Sequence, residues 1–543
     1  MKKIASILAL NFRGWGINHV FGIPGKPLGS LFMELDKHDV NVILSKHESG
    51  AGYAAAGYSL MNKKLGVAIG TSGPGGTNLI TAAGQAKAYH IPVLFITGQP
   101  PINSAGKALA QDSTIFGTDL VKMFESVTKF SVRVERADQF QRYLQHALEK
   151  AYFGVKGPVH LSIPMDVLEE EIEEFQLELP DTMDKLISSR LDEFVNKLNN
   201  ARKPVILAGK GIHSSLAYDE VKSLAEIWNI PVMTTPGGKG TFVENHPLSL
   251  GALGLGGTEK SSEYIKEDID LMIVIGNKLS DLSLVDISAE NYPKEVVHLD
   301  YDPTFIKKSL QVSTLSIIGD VKANLKSVLN KAKHKAKNEY NLLEEKYETE
   351  NVENNNSSYI SAAHAIEIIR KKLPDDAIVF GDSGSHSFYA IKYFAIRKSG
   401  TFLFDEAFSA MGHAIGYSIG AQLASYNSRI ICITGDGCTF MHGTEISTAA
   451  NYNIPVTFII LNNGRLDMVD KGMKKNLGKA VGTTYNIPLD IKKFGESMGV
   501  KSYKCCNEFD LKEALEISNL HNEAIVIEVM VDPNEIPPTM KRG

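Results

Sequence analysis

The run Ile431-Cys432-Ile433-Thr434-Gly435-Asp436-Gly437 and the later run Ile459-Ile460-Leu461-Asn462-Asn463 constrain this chain more than any other feature. Each is a short apolar stretch rich in β-branched residues. The first breaks at glycine and the second at two amides, so the pair reads as strand, turn, helix and strand. Glycine at such a turn lets backbone N–H groups close on an anion at a helix N-terminus. Asp436 and Asn463 offer the hard oxygen atoms that a magnesium ion bridging two phosphates requires. Gly-Asp-Gly alone is weak evidence, because tight turns select those residues for their own geometry. Joined to a strand-terminal Asn-Asn, it reads as a metal-diphosphate anchor.

The same alternation of short apolar run and helical period recurs along the chain, as in Val42-Ile43-Leu44, Gly66-Val67-Ala68-Ile69 and Ile91-Pro92-Val93-Leu94-Phe95-Ile96. It predicts an α/β fold with doubly wound parallel sheets. A chain of 543 residues exceeds a single core, and about 150 residues per domain suggests three or four. An acidic connector at 169–184 closes the first block. A polar tract ending in Asn354-Asn355-Asn356-Ser357-Ser358 separates the second from the third. These breaks place a first domain at residues 1–168, a central domain at 185–333, a linker at 334–358 and a last domain at 359–543. The central block carries the strand-like runs Pro204-Val205-Ile206-Leu207, Leu271-Met272-Ile273-Val274-Ile275 and Val296-Val297-His298-Leu299. The Lys/Glu-rich stretch from Lys331 to Glu350 reads as a solvated helix and linker.

A hydrophobic content of 43% and a charged content of 22% are those of a globular chain, and a net charge of −6 gives no basic surface for nucleic acid. No apolar run reaches the ~20 residues of a membrane-spanning helix. Lys2 and Lys3 followed by Ile4 to Leu10 read as the start of an amphipathic helix, not as a leader. The four cysteines, Cys432, Cys438, Cys505 and Cys506, form no C-x-x-C pair, which argues against a zinc or disulfide framework and for a reducing cytoplasm.

With these motifs in place the chain resembles the thiamine diphosphate enzymes typified by acetohydroxyacid (acetolactate) synthase, pyruvate oxidase and pyruvate decarboxylase. The match runs in family order over nearly the whole sequence: Val20-Phe21-Gly22-Ile23-Pro24-Gly25, Lys46-His47-Glu48-Ser49-Gly50-Ala51, Thr71-Ser72-Gly73-Pro74-Gly75-Gly76-Thr77-Asn78, Gly157-Pro158-Val159 with Ile163-Pro164-Met165-Asp166-Val167, Asp382-Ser383-Gly384-Ser385-His386, and Ala410-Met411-Gly412. The resemblance implies three domains, pyrimidine-binding, central and diphosphate-binding. It implies magnesium ligands at Asp436, Asn463 and the backbone of Arg465. It assigns Glu48 to the cofactor's pyrimidine ring, as a carboxyl that holds or shares a proton near neutral pH, which an apolar site encourages. Met411 becomes the apolar wedge that bends the cofactor. Pro24, Gly25, Thr71, Gly73 and Asn78 fall on the pyrimidine side, and Gly384, Ser385, His386, Gly435, Gly437, Cys438 and Met468 on the diphosphate side. In this family the cofactor lies between domains of two subunits, which implies a homodimer at least, with a tetramer compatible.

The implied activity is a carboligase. A 2-oxo acid donor, pyruvate in the first instance, is decarboxylated, and the acyl carbanion is transferred to a second carbonyl. Several departures bear on the acceptor. The synthases' Phe-Gln-Glu segment reads Ala110-Gln111-Asp112, which keeps Gln111 as a catalytic candidate. Their flavin- and carboxylate-reading loop reads Gly276-Asn277-Lys278-Leu279-Ser280-Asp281-Leu282, with Leu282 in place of an arginine clamp. That altered loop weighs against FAD, although Gly209-Lys210-Gly211 and Gly251–258 resemble the segments beside the flavin. A family tryptophan falls at Gly472, and Ala110 and Gly472 together are expected to enlarge the substrate pocket. Asp467-Met468-Val469 is similar to the flavin-independent acetolactate synthases. His413 stands as a candidate hydrogen-bond donor to a reacting oxygen or as a structural histidine. The alternatives are a 2-oxo acid decarboxylase or C–C lyase that protonates the carbanion, and a non-catalytic regulatory or scaffolding relative.

Overall fold

The computed structural model describes residues 1–180, 185–332 and 359–541, so the expected linker at 334–358 and most of the Lys331 to Glu350 stretch lie outside the described residues. The described chain builds three six-stranded sheets, each parallel throughout, and one small antiparallel pair, Lys2–Lys3 with Glu171–Ile172. The inner strands of the two outer sheets are buried runs with no solvent face, whereas edge strands such as Lys501–Cys505 keep exposed residues. Val67, Ala68, Ile69, Ile431, Ile433, Ile459 and Ile460 are all fully buried, as strands covered by helices on both faces must be.

In sheet order the N-terminal strands are Asn41–Leu44, His19–Gly22, Gly66–Gly70, Val93–Gln99, Val159–Pro164 and Ser131–Arg133. The C-terminal strands are Phe402–Phe404, Ile378–Gly381, Ile430–Gly435, Thr457–Asn462, Ile525–Met530 and Lys501–Cys505. Numbered along the chain within each sheet, both run 2-1-3-4-6-5. The central sheet differs. Its order is Ser249–Ala252, Val232–Thr234, Pro204–Ala208, Leu271–Ile275, Glu295–Asp300 and Ser313–Ile318, or 3-2-1-4-5-6.

The two outer domains share one hydrophobic core, sealed by helix Glu48–Asn62 against helix His413–Ala424. This crossing needs bare backbone. A methyl group at Gly420 would overlap the carbonyl of Ala54, and one at Gly57 would overlap that of Tyr417. The central domain is tied to the N-terminal domain by two lysines. The Lys210 ammonium donates to the Tyr89 carbonyl and lies 3.8 Å from the centre of the Tyr89 ring, and the Lys278 ammonium donates to the Ala88 carbonyl at 3.0 Å. Both cap the C-terminal end of helix Ile80–Ala88, where cations are favoured by the unpaired carbonyls.

Candidate active site

In the C-terminal sheet the chain passes from Ile378–Gly381 outward to Phe402–Phe404 and then returns on the other side as Ile430–Gly435. The winding therefore reverses between Ile378–Gly381 and Ile430–Gly435, and crevices of doubly wound sheets open at the carboxyl ends of such strands. A cleft of about 260 Å³ opens there. Its walls include Gly384, Ser385, His386, Met411, Gly435, Asp436, Gly437, Cys438, Asn463, Arg465 and Met468, all singled out in the sequence.

Asp436 is 4% exposed. Its carboxylate accepts from the N–H groups of Gly437 at 2.9 Å and Arg465 at 3.1 Å, which fixes both oxygens. Burial raises this carboxyl to about 6, and the Asp467 carboxylate nearby pushes in the same direction. The two amides at the next strand end divide their work. Asn462 is buried, donates to Glu528 at 2.7 Å and to the Leu489 carbonyl at 3.2 Å, and accepts from Gly464 N–H. Asn463 is left to face the cleft. Gly464 turns the chain at φ 72, a left-handed angle that brings Arg465 back over Asp436.

Five buried polar atoms of this wall, Ser383 Oγ, His386 Nε2, Arg465 Nε and both carboxylate oxygens of Asp467, have no hydrogen-bond partner. Leaving such an atom unpaired costs about 1–3 kcal/mol. His386 sits in the first turn of helix Ser385–Tyr393, whose own N–H groups open on the cleft. A Cβ at Gly384 or Gly435 would fall 2.6 or 2.8 Å from the His386 ring, so both glycines are needed to seat it. An unpaired hydroxyl and an unpaired ring nitrogen beside a buried carboxylate and an amide fit a diphosphate carrying a divalent cation. Sequence reasoning missed Ser383 as a wall residue, and also Asp467, whose carboxylate lines the cleft and pairs with Lys471 at 2.6 Å.

Asp382 lies behind this wall as a brace. It is fully buried and accepts from Ser383 N–H at 2.8 Å, Gly412 N–H at 2.9 Å and Thr434 Oγ1 at 2.8 Å. His413, 1% exposed, has Nδ1 2.7 Å from the Ala410 carbonyl and 3.2 Å from Asp382 Oδ1. Although burial opposes it, contact with Asp382 and Asp405 raises this imidazole above its ordinary value. The structure therefore selects the structural reading of His413. Cys438 donates to the Ser383 carbonyl at 3.2 Å, and burial pushes its thiol up, away from the reactive thiolate.

The second group gathers at the equivalent edge of the N-terminal sheet. Glu48 opens helix Glu48–Asn62, is 8% exposed and accepts from Asn78 Nδ2 at 2.9 Å. Thr71 packs against Gly25, its Oγ1 buried without a partner, and Pro24 is exposed beside them. Gly73 N–H donates to Ser113 Oγ at 2.6 Å, on the loop that follows strand Val93–Gln99. Gln111, on that loop, is exposed. None of Pro24, Gly25, Glu48, Thr71, Gly73, Asn78 or Gln111 lines the cleft around Asp436 of the same chain.

Comparison with known proteins agrees with this two-part architecture. Residues 2–123 match the family described as Thiamine pyrophosphate enzyme, N-terminal TPP binding domain; residues 191–328 match the central domain and 382–529 the C-terminal TPP binding domain. A probable acetolactate synthase large subunit of Methanococcus aeolicus is 32% identical, over 96% of this chain and 91% of the relative. The chain belongs to the thiamine pyrophosphate enzyme family. A probable acetolactate synthase large subunit of Methanocaldococcus jannaschii is 30% identical over 97% of this chain and 92% of its own length. Among solved structures, a thiamine diphosphate-dependent 4-hydroxybenzoylformate decarboxylase of Rhodococcus jostii superposes with a TM-score of 0.86, covering 98% of this chain and 99% of that one at 23% identity.

Gly472 does not line the cleft around Asp436 of the same chain. A Cβ there would meet Met540 Cε at 3.8 Å, in the C-terminal segment that lies along helix Asp467–Leu477. The altered loop after strand Leu271–Ile275 also has a defined task. Lys278 caps the helix of the N-terminal domain, Asn277 donates to Thr235 and Glu406, and the half-buried Leu282 packs against the core of the C-terminal domain. This loop serves to join domains.

Proposed function

We propose that this chain is a thiamine diphosphate- and magnesium-dependent carboligase that decarboxylates a 2-oxo acid, pyruvate first among them, and transfers the acyl carbanion to a second carbonyl. The observation that carries the reading is the cleft at the switch point, where buried Asp436 and outward Asn463 stand beside the unpaired Ser383 Oγ and His386 Nε2. Bound there, the cofactor supplies an electron sink that makes a carbonyl carbon nucleophilic. Asp436, Asn463 and the Arg465 carbonyl hold magnesium. Ser383, His386 and the N–H groups of helix Ser385–Tyr393 take the diphosphate oxygens. Met411 orients the rings, and Glu48, steadied by Asn78, moves the proton at the pyrimidine nitrogen.

Glu48 is absent from the cleft of its own chain, which supports a homodimer in which one protomer lends Glu48, Thr71, Gly73 and Gln111 to the cleft of its partner. Two dimers could pair as a tetramer. The reading needs no flavin. Among the described residues no helix is long and apolar enough to cross a membrane, and we place the enzyme in the cytoplasm.

Incubation with pyruvate, alone and with a panel of aldehydes and ketones, followed by mass analysis tests the activity. A carbon–carbon coupled product is expected. Free aldehyde alone would favour the second reading, a non-ligating decarboxylase or lyase, which the half-buried, apolar Leu282 where the synthases hold a carboxylate clamp makes specific.

A further inference from the structure

Met411 stands on the segment 405–412, which links strand Phe402–Phe404 to helix His413–Ala424. This segment is held from two domains. On its C-terminal side Gly412 N–H donates to Asp382 Oδ1. On its N-terminal side the holder is Gln85, wholly buried on helix Ile80–Ala88 of the N-terminal domain. Its Nε2 donates to Asp405 Oδ2 at 2.6 Å, and its Oε1 accepts from Ala410 N–H at 3.0 Å. Asp405 also accepts from Tyr417 Oη at 3.1 Å, which fixes the carboxylate that Gln85 grips.

The segment is not at rest in this shape. Phe408 and Ser409 have φ of 60 and 49, left-handed angles that side chains with a Cβ rarely adopt, so surrounding structure must impose them. A leucine-shaped side chain would fill the place of Gln85 without the desolvation of an amide. What the amide adds is direction: both ends are engaged, one on the side chain and one on the backbone of the same segment.

We propose that Gln85 is a positioning residue that, through Asp405 and Ala410 N–H, sets where Met411 stands in the cleft and so links the seating of the N-terminal domain to the alignment of the cofactor. The proposal rests on the cofactor reading of the cleft given above.

An exchange of partners tests it. Gln85→Glu sets a carboxylate against Asp405, and Asp405→Leu removes the acceptor that orients the Gln85 amide. In the Gln85→Glu/Asp405→Asn double variant the acid and the amide trade places and both bonds can form again. In the cofactor-free proteins, deuterium uptake by the backbone of 405–412, read by mass spectrometry, is expected to rise in each single variant and return toward wild type in the double. In the loaded proteins the dissociation constant for thiamine diphosphate with magnesium is expected to stay within about threefold of wild type. Deuterium exchange at the C2 carbon of the bound cofactor is expected to slow by roughly tenfold or more in the single variants and to recover in the double.

Single variants that match wild type in both exchange measurements overturn the proposal, as does a double variant no better than the singles. If a single variant does not fold, a folded double variant with near-wild-type exchange supports the proposal and an unfolded one overturns it. Wild-type protein that takes up no cofactor sinks the reading of the cleft instead, and deuterium uptake of the cofactor-free segment still decides the clamp.

Discussion

The N-terminal and C-terminal sheets wind in the same strand order and open crevices at the same switch point, yet the groups they place there are of opposite kinds. After its first and third strands the C-terminal sheet sets unpaired Ser383 and His386 and the buried acid Asp436. At the corresponding ends the N-terminal sheet sets Gly25, Thr71 and Gly73, with Glu48 supplied from beyond its second strand. The sixth strands differ in the same way. His160 sits in one, stacked on Phe124 at 3.9 Å with its ring nitrogens at Thr97 and Ser131. Glu528 sits in the other, accepting from Asn462 and so releasing Asn463 to the cleft. One topology thus serves two chemistries, because a parallel sheet fixes where its strand ends meet and leaves their side chains free to vary.

The sharpest way to break this division of labour is Glu48→Gln. Turnover should fall on the order of 10²–10⁴-fold while cofactor uptake by titration calorimetry is kept. Full activity would remove Glu48 from the reaction. Asp436→Ala should do the reverse and weaken uptake of the cofactor with magnesium by roughly a hundred- to a thousandfold, the scale of losing one partner of a buried charged pair. Unchanged uptake would move the anchor elsewhere.

Gly420→Ala probes the helix crossing that joins the two domains. Its methyl group meets backbone, which cannot rotate aside, so a loss of about 3 kcal/mol is expected in denaturant unfolding. A neutral result would mean that the outer domains are not sealed there. The smallest effect expected is acid sensitivity at His160, whose burial lowers it from 6.5 to about 3. The unfolded chain binds a proton below 6.5 and the folded chain does not. Stability from this site is therefore complete above 6.5 and lost as pH falls, by about 1.4 kcal/mol near pH 5.5. His160→Gln should flatten that part of the slope.

Much of the anchor was legible in advance because turn chemistry is local. Gly435-Asp436-Gly437 and Asn462-Asn463 announce themselves through neighbours in sequence, and all but Asn462 line one cleft. Which asparagine faces that cleft was not legible, since it depends on Glu528, far along the chain. Ser383 stood inside a recognised motif, but only an unpaired hydroxyl in three dimensions gives it weight. That Gly472 has Met540 as its neighbour was not legible either, since the two meet only through the fold. The glycines at 57 and 420 carry no message until each is seen against the other helix.

By itself the sequence determined the α/β character, the order of the three blocks and the chemical kind of ligand, because strand periodicity and glycine turns act over a few residues. The tertiary structure alone decided that the two outer sheets share one winding, that His413 is a buried brace and that Gln85 grips the segment bearing Met411. Those facts are contacts between residues apart in sequence, up to 325 positions in the case of Gln85 and Ala410, and the free energy that fixes them, close packing and satisfied buried polar groups, exists only once the chain has folded.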